Sequence, residues 1–190
     1  MSALAVQLWP GPPPVPQDGL FAILIQIGAD SQRDAARRQL RAAACEALAA
    51  VLRVAIDEIT VAATPGSPPH ILLAGHKSRI GCSFSHDDGY ALAAFNLHGP
   101  IGADLMRVQT IPDWQAVARD YLGPRVVATL QTAIDLPNAF TQAWTQREAA
   151  LKYHAQEISE WQADLSGRSI SLALPATGLL GHIHIGDKSA

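Results

Sequence analysis

Phe140 to Lys152, F-T-Q-A-W-T-Q-R-E-A-A-L-K, reads as the start of a helix. Trp144, Glu148 and Lys152 recur at i, i+4 and i+8, so one face carries an aromatic ring, a carboxylate and an ammonium in a row. Upstream, Gly99 to Val108, G-P-I-G-A-D-L-M-R-V, reads as an apolar strand with a single carboxylate, Asp104. Alternation along it places Gly102, Asp104 and Met106 on one face and Ile101, Ala103 and Leu105 on the other. Two carboxylates from separate elements can hold one hard cation. Each has a plainer reading when taken alone. A Glu four residues before a Lys is a solvated helix pair worth about 0.2–0.5 kcal/mol, and an isolated Asp ends a strand or caps a turn.

Working outward from this pair, residues 9 to 16, W-P-G-P-P-P-V-P, hold five prolines and are expected to be extended or turn. Leu20 to Ile27 reads as a buried strand closed by Gly28-Ala29-Asp30. From Ser31, read as the N-cap, to about Ala55 the pattern is helical, with Leu40, Ala44, Leu48, Val51 and Leu52 on one face and arginines on another. Ile59 to Ala62 is a short strand and Thr64 to Pro69 a loop. Ile71 to Ala74 and Arg79 to Phe84 are strands around a Gly75-His76-Lys77-Ser78 turn. Ser85 to Gly89 turns the chain into Tyr90 to Leu97, an apolar run with the character of a central strand.

In the second half, Asp113 to about Leu122 and Pro124 to Ile134 read as helices. Leu136-Pro137-Asn138 precedes the long helix, which is expected to run to about Gln162. Ser169 to Leu174 and Leu179 to Ile185 form a hairpin. His182 and His184 share a face of its last strand; with no third ligand they are expected on a partly exposed edge strand. Gly81 to Ser85 lacks the closing glycine of a nucleophile elbow, and Gly75-His76-Lys77-Ser78 lacks the earlier glycine of a P-loop.

The 190 residues suit one domain or two small halves sharing a core. Two cysteines, Cys45 and Cys82, give no disulfide framework and point to a reducing compartment, the cytoplasm. Met1 to Pro16 lacks the basic and apolar regions of a signal peptide, and no apolar run is long enough for a membrane span. A net charge of −3 argues against a nucleic-acid binder. Locally, Ser31 to Ala55 carries five arginines (Arg33, Arg37, Arg38, Arg41 and Arg53) against Asp34 and Glu46, a net of +3. That patch suits a phosphate or an acidic partner, or is simply the wet face of a helix.

Three blocks in order, S-F-S-H-D-D-G from Ser83, G-P-I-G-A-D-L from Gly99 and F-x-x-x-W-T-x-R-E-A-x-x-K from Phe140, resemble the signatures of the 4'-phosphopantetheinyl transferases, in their larger pseudo-dimeric class. The resemblance spans about Arg37 to Lys152, and the third block is the most specific. It implies an α+β protein of two similarly built halves, 1–99 and 100–190, each a small antiparallel sheet packed against helices, with a cofactor cleft between them. It further implies magnesium-dependent transfer of the phosphopantetheine arm of coenzyme A to a serine of an acyl or peptidyl carrier protein. Asp104 and Glu148 match the metal-binding carboxylates, and Glu148 or a water on the metal would accept the serine proton. Lys152 matches the lysine that neutralises the phosphates. Ser85 and His86, on the turn after the Phe84 strand, match the pair that meets the 3'-phosphate of the coenzyme. Arg38 is the foremost helix arginine for that grip, with Lys77 and Arg79 behind it.

The chain departs from the pattern at Met106, where a second acidic residue is usual, and at Arg147, where lysine is common. The second half is also short for the class. Met106 keeps a second reading open, a catalytically weakened homologue that binds coenzyme A or a carrier protein. Fused halves suit a monomer, with neither nucleic acid nor membrane as partner.

Overall fold

The computed structural model of the protein describes residues 3–28, 33–63, 68–87 and 89–187. The strands are β1 (Leu4–Leu8), β2 (Leu20–Gln26), β3 (Ile59–Ala62), β4 (His70–Leu73), β5 (His76–Asp87), β6 (Tyr90–Asn96), β7 (Gly102–Arg107), β8 (Arg168–Ala173) and β9 (Leu179–Ile185). The helices are α1 (Arg33–Leu52), α2 (Trp114–Tyr121), α3 (Pro124–Gln131) and α4 (Leu136–Tyr153). The fold is therefore mixed α/β. All nine strands join one sheet, in the order β3-β4-β5-β6-β2-β1-β8-β9-β7. Neighbours are antiparallel except at β1, which runs parallel to both β2 and β8 and so links the two ends of the chain.

β2 and β6 are buried on both faces, which is why they read as continuous apolar runs. Phe21, Ile23 and Ile25, with Ala91, Ala93 and Phe95, meet Leu40, Ala44, Ala47 and Leu48 of α1. The rings of Phe21 and Phe95 stack at 4.6 Å between centroids. The opposite faces, through Leu20, Ala22, Leu24, Leu92 and Ala94, meet Ala103, Leu105, Ile170 and Ile183. The result is four layers, α1, sheet, sheet and α4, with the sheet curled until β7 lies against β5.

Small residues set how closely α4 approaches. A Cβ at Gly102 would overlap the Ala149 carbonyl oxygen and the Tyr153 amide nitrogen, so glycine there lets the helix backbone rest on β7. The Pro-rich segment is held by Trp9, whose Nε1 donates to Glu46 Oε2 of α1 at 3.0 Å.

Several boundaries differ from expectation, each for a local reason. The turn between β4 and β5 is Ala74-Gly75, with φ of 47° and 79°, not the four residues from Gly75. Two left-handed residues match the twist of a hairpin, and an alanine in that role carries no signal. β5 then runs on through Asp87, so Ser85 and His86 lie on a strand and not on a turn. α4 begins at Leu136, because Asp135 caps it by accepting the Asn138 amide at 3.2 Å and Pro137 falls in the first turn, where no N–H is needed. It ends at Tyr153, not near Gln162. Ala155 turns left-handed at φ 54°, and the Gln156 amide returns to the Leu151 carbonyl at 2.9 Å.

β9 lies between β8 and β7, so His182 and His184 are buried and not on an exposed edge. Ser31, Ala29, Asp30, residues 64–67 of the expected loop and Asp88 lie outside the described residues. No helix among the described residues is long and apolar enough to cross a membrane.

Candidate active site

β7 is paired on one edge with β9, which leaves the N–H groups of alternate residues on its other edge without a strand partner. Side chains of β5 take that place. Ser83 Oγ accepts from the Ala103 amide (2.9 Å), Ser85 Oγ from Leu105 (3.2 Å) and Asp87 Oδ2 from Arg107 (2.6 Å). Asp104, on the intervening face, is only 7% exposed. Its Oδ1 accepts from Ser85 Oγ and from Lys152 Nζ, both at 2.7 Å. Lys152 also donates to the carbonyls of Ala103 (3.1 Å) and Phe84 (3.5 Å), so one ammonium ties α4 to β5 and β7.

Glu148 stands one helical turn before Lys152 and shares a cavity with Ser85, His86, Asp87, Asp104 and Met106. Burial first, and then the nearby Asp104 charge, push its carboxyl above the usual range, against the opposing pull of Lys152 and Arg147. This cavity, of about 460 Å³, adjoins a second of about 460 Å³ through the shared side chains Phe84, His86 and Lys152. The second is lined on the α1 side by Arg37, Leu40 and Arg41, and also by Cys82, Pro68 and Pro69. Burial pushes the Cys82 thiol up to about 12, so it is an inert wall and not a nucleophile.

Asp104, Glu148, Lys152, Ser85 and His86 thus come together from three elements. Arg38 does not join them. It is exposed and lines neither cavity, while Arg37 and Arg41 do, because i and i+4 share a helix face and the residue between is turned about 100° away. Lys77 and Arg79 also line neither cavity. Ser83 and Asp87 had been missed, although the alternation of polar residues at 83, 85 and 87 is the pattern of one strand face.

Among the described residues no three His, Cys, Asp or Glu side chains stand close enough to cage a metal ion. Magnesium does not need a cage, because it binds through one or two carboxylates and keeps its remaining positions for water and substrate oxygens. Asp104 and Glu148 fit that donor set. The Met106 thioether in the same cavity is too soft to add to it.

The buried histidines form a separate network behind this site. Ser171 Oγ and Gln146 Nε2 both lie 3.2 Å from His182 Nε2, which fixes the proton on Nδ1, and Nδ1 donates to Thr145 Oγ1 of α4 at 2.8 Å. Burial pushes His182 down to about 4, so it is neutral. His184 Nε2 donates to the Ser166 carbonyl at 2.9 Å, and Ser169 Oγ lies 3.0 Å from its Nδ1.

Comparison with protein-family models finds no match, and none of the curated proteins matches the sequence.

Proposed function

We propose that the protein is a phosphopantetheinyl transferase, moving the arm of coenzyme A to a serine of an acyl or peptidyl carrier protein. The observation that carries this reading is the convergence of Asp104, Glu148 and Lys152 on one cavity that opens past His86 into an arginine-lined second one. In this reading the coenzyme lies across both cavities. Its 3'-phosphate sits toward Arg37, Arg41 and His86, and its pyrophosphate near Lys152.

A magnesium ion held by Asp104 and Glu148 would supply charge neutralisation at the pyrophosphate oxygens. Glu148 accepts the proton of the carrier serine as its oxygen attacks the phosphorus that bears the pantetheine arm. The bond from that phosphorus to the bridging oxygen breaks, and the electron pair leaves with adenosine 3',5'-bisphosphate. Lys152 stabilises the negative charge that develops there.

The two-half reading belongs to the same proposal. α1 over β2 and β6, and α4 over β7 and β9, would be equivalent units of 1–99 and 100–190 fused into a cytoplasmic monomer. A second reading, a weakened homologue, is favoured by one observation: Met106 faces the cavity where the family pattern has an acid. The test is the mass of an apo acyl carrier protein after incubation with this protein, coenzyme A and magnesium. A gain of one phosphopantetheine that a chelator abolishes is expected. No gain across several carriers, with coenzyme A still bound, selects the weakened homologue.

A further inference from the structure

The family resemblance carries Ser85 over as a contact of the coenzyme's 3'-phosphate, but its hydroxyl is already committed elsewhere. A serine hydroxyl has one proton and two acceptor lone pairs. The proton of Ser85 goes to Asp104 Oδ1 at 2.7 Å, and one lone pair takes the Leu105 amide at 3.2 Å. The residue is 6% exposed. What remains is an acceptor, which a phosphate dianion repels. Donating to a phosphate would require Ser85 to release Asp104 and leave a largely buried carboxylate one bond short.

The neighbouring contacts argue for a built device. Ser83, Ser85 and Asp87 meet the amides of Ala103, Leu105 and Arg107 at a constant offset of 20 residues (103 − 83, 105 − 85, 107 − 87). The three bonds fix the height of β7 against β5, and only the middle member also touches the Asp104 carboxylate. Both Ser85 and Lys152 bind Oδ1, which leaves Oδ2 without a protein hydrogen bond among the described residues.

We propose that Ser85 is a positioning residue for Asp104, holding Oδ1 so that Oδ2 is presented to a divalent cation, and that it is not a ligand of the coenzyme's 3'-phosphate. The inference rests on the transferase reading, and its test separates the two. Manganese titration of the whole protein, read by the loss of the free-ion electron spin resonance signal, reports cation affinity without turnover. Competition between coenzyme A and 3'-dephospho-coenzyme A reports the phosphate grip.

Ser85→Ala is expected to weaken manganese binding by about 10-fold or more, as loss of a partner behind a metal ligand does. Ser85→Thr, which keeps the hydroxyl, restores most of it, and the preference for the 3'-phosphate stays at the wild-type value in both. Ser83→Ala removes the same kind of β7 contact without touching Asp104, so it lowers the melting temperature but leaves manganese affinity near wild type. Should Ser85→Ala not fold, Ser85→Cys, with its weak donor, is read for the same two quantities. Unchanged manganese affinity together with a lost 3'-phosphate preference overturns the inference. Wild-type protein that transfers nothing and binds no manganese overturns the transferase reading instead.

Discussion

The two helices that cover the sheet both bury apolar residues, and differ in the polar groups buried beside them. α1 meets the strands through Leu40, Ala43, Ala44, Ala47 and Leu48, and keeps Arg37, Arg38 and Arg41 exposed. Each fully buried leucine there contributes roughly 1.5–3 kcal/mol by leaving water, and no pairing geometry is required. α4 instead buries Thr141 and Thr145, touches the buried His182 and sends Lys152 between two strands to Asp104. Such polar contacts add little net stability and cost several kcal/mol if broken on one side, so they constrain geometry more than they hold the fold together. α1 is held mainly by packing, and α4 brings the ionisable side chains Glu148 and Lys152 to the cavity.

Glu148→Gln gives the largest effect expected. On the transferase reading, transfer falls by about 100- to 10,000-fold, the usual weight of a general base, while the fold persists. Because its carboxyl is held above the usual range, the charged form is worse accommodated in the folded than in the unfolded chain. The variant therefore melts higher than wild type at neutral pH, and the gain disappears as pH falls below the ordinary carboxylate range, where both states are protonated. Equal transfer rates in wild type and variant would remove α4 from the mechanism and the contrast with it.

The second way to sharpen the contrast is pH. His182 is neutral when folded and pushed down to about 4, from 6.5 when exposed. Its stability contribution is complete above pH 6.5 and is lost as pH falls toward 4. The difference of about 2.5 pH units at about 1.4 kcal/mol each is roughly 3 kcal/mol. Urea unfolding between pH 4 and 7 should show that slope in wild type and a flatter one in His182→Gln. Leu48→Ala, on the α1 side, should lose about 2–5 kcal/mol at every pH, since only packing is removed. A slope that survives in His182→Gln would mean that a group other than His182, such as the buried His184, sets it.

The smallest effect expected concerns the arginines. If coenzyme A is the substrate, as proposed, Arg41→Ala should raise its KM about two- to fivefold, the scale of an exposed ion pair, and Arg38→Ala should leave it unchanged. The reverse result would rotate the working face of α1.

Local pattern carried much of this in advance. Alternation along Gly102 to Arg107 correctly set Asp104 and Met106 apart from Ala103 and Leu105, and the i, i+4, i+8 spacing put Glu148 and Lys152 on one face. The ends of elements were less legible. At Ala74 and Ala155 an alanine takes the left-handed conformation that glycine or asparagine would have announced. The edge-strand reading of His182 and His184 failed because a histidine-bearing strand looks the same in sequence whether it lies at the edge or the centre of a sheet.

By itself, the sequence determined most of the helix and strand segments, though not β1 or the strand at Ser85 to Asp87, together with the burial of β2 and β6 and the faces that carry Asp104, Glu148 and Lys152. Those follow from periods of two and 3.6 residues, which depend only on neighbouring positions. The tertiary structure alone decided that β9 is central, that Arg37 and Arg41 rather than Arg38 line the second cavity, and that Ser83, Ser85 and Asp87 satisfy the open edge of β7. These depend on how far the sheet curls, which is set by the joint packing of two cores and leaves no mark at any single position in the chain.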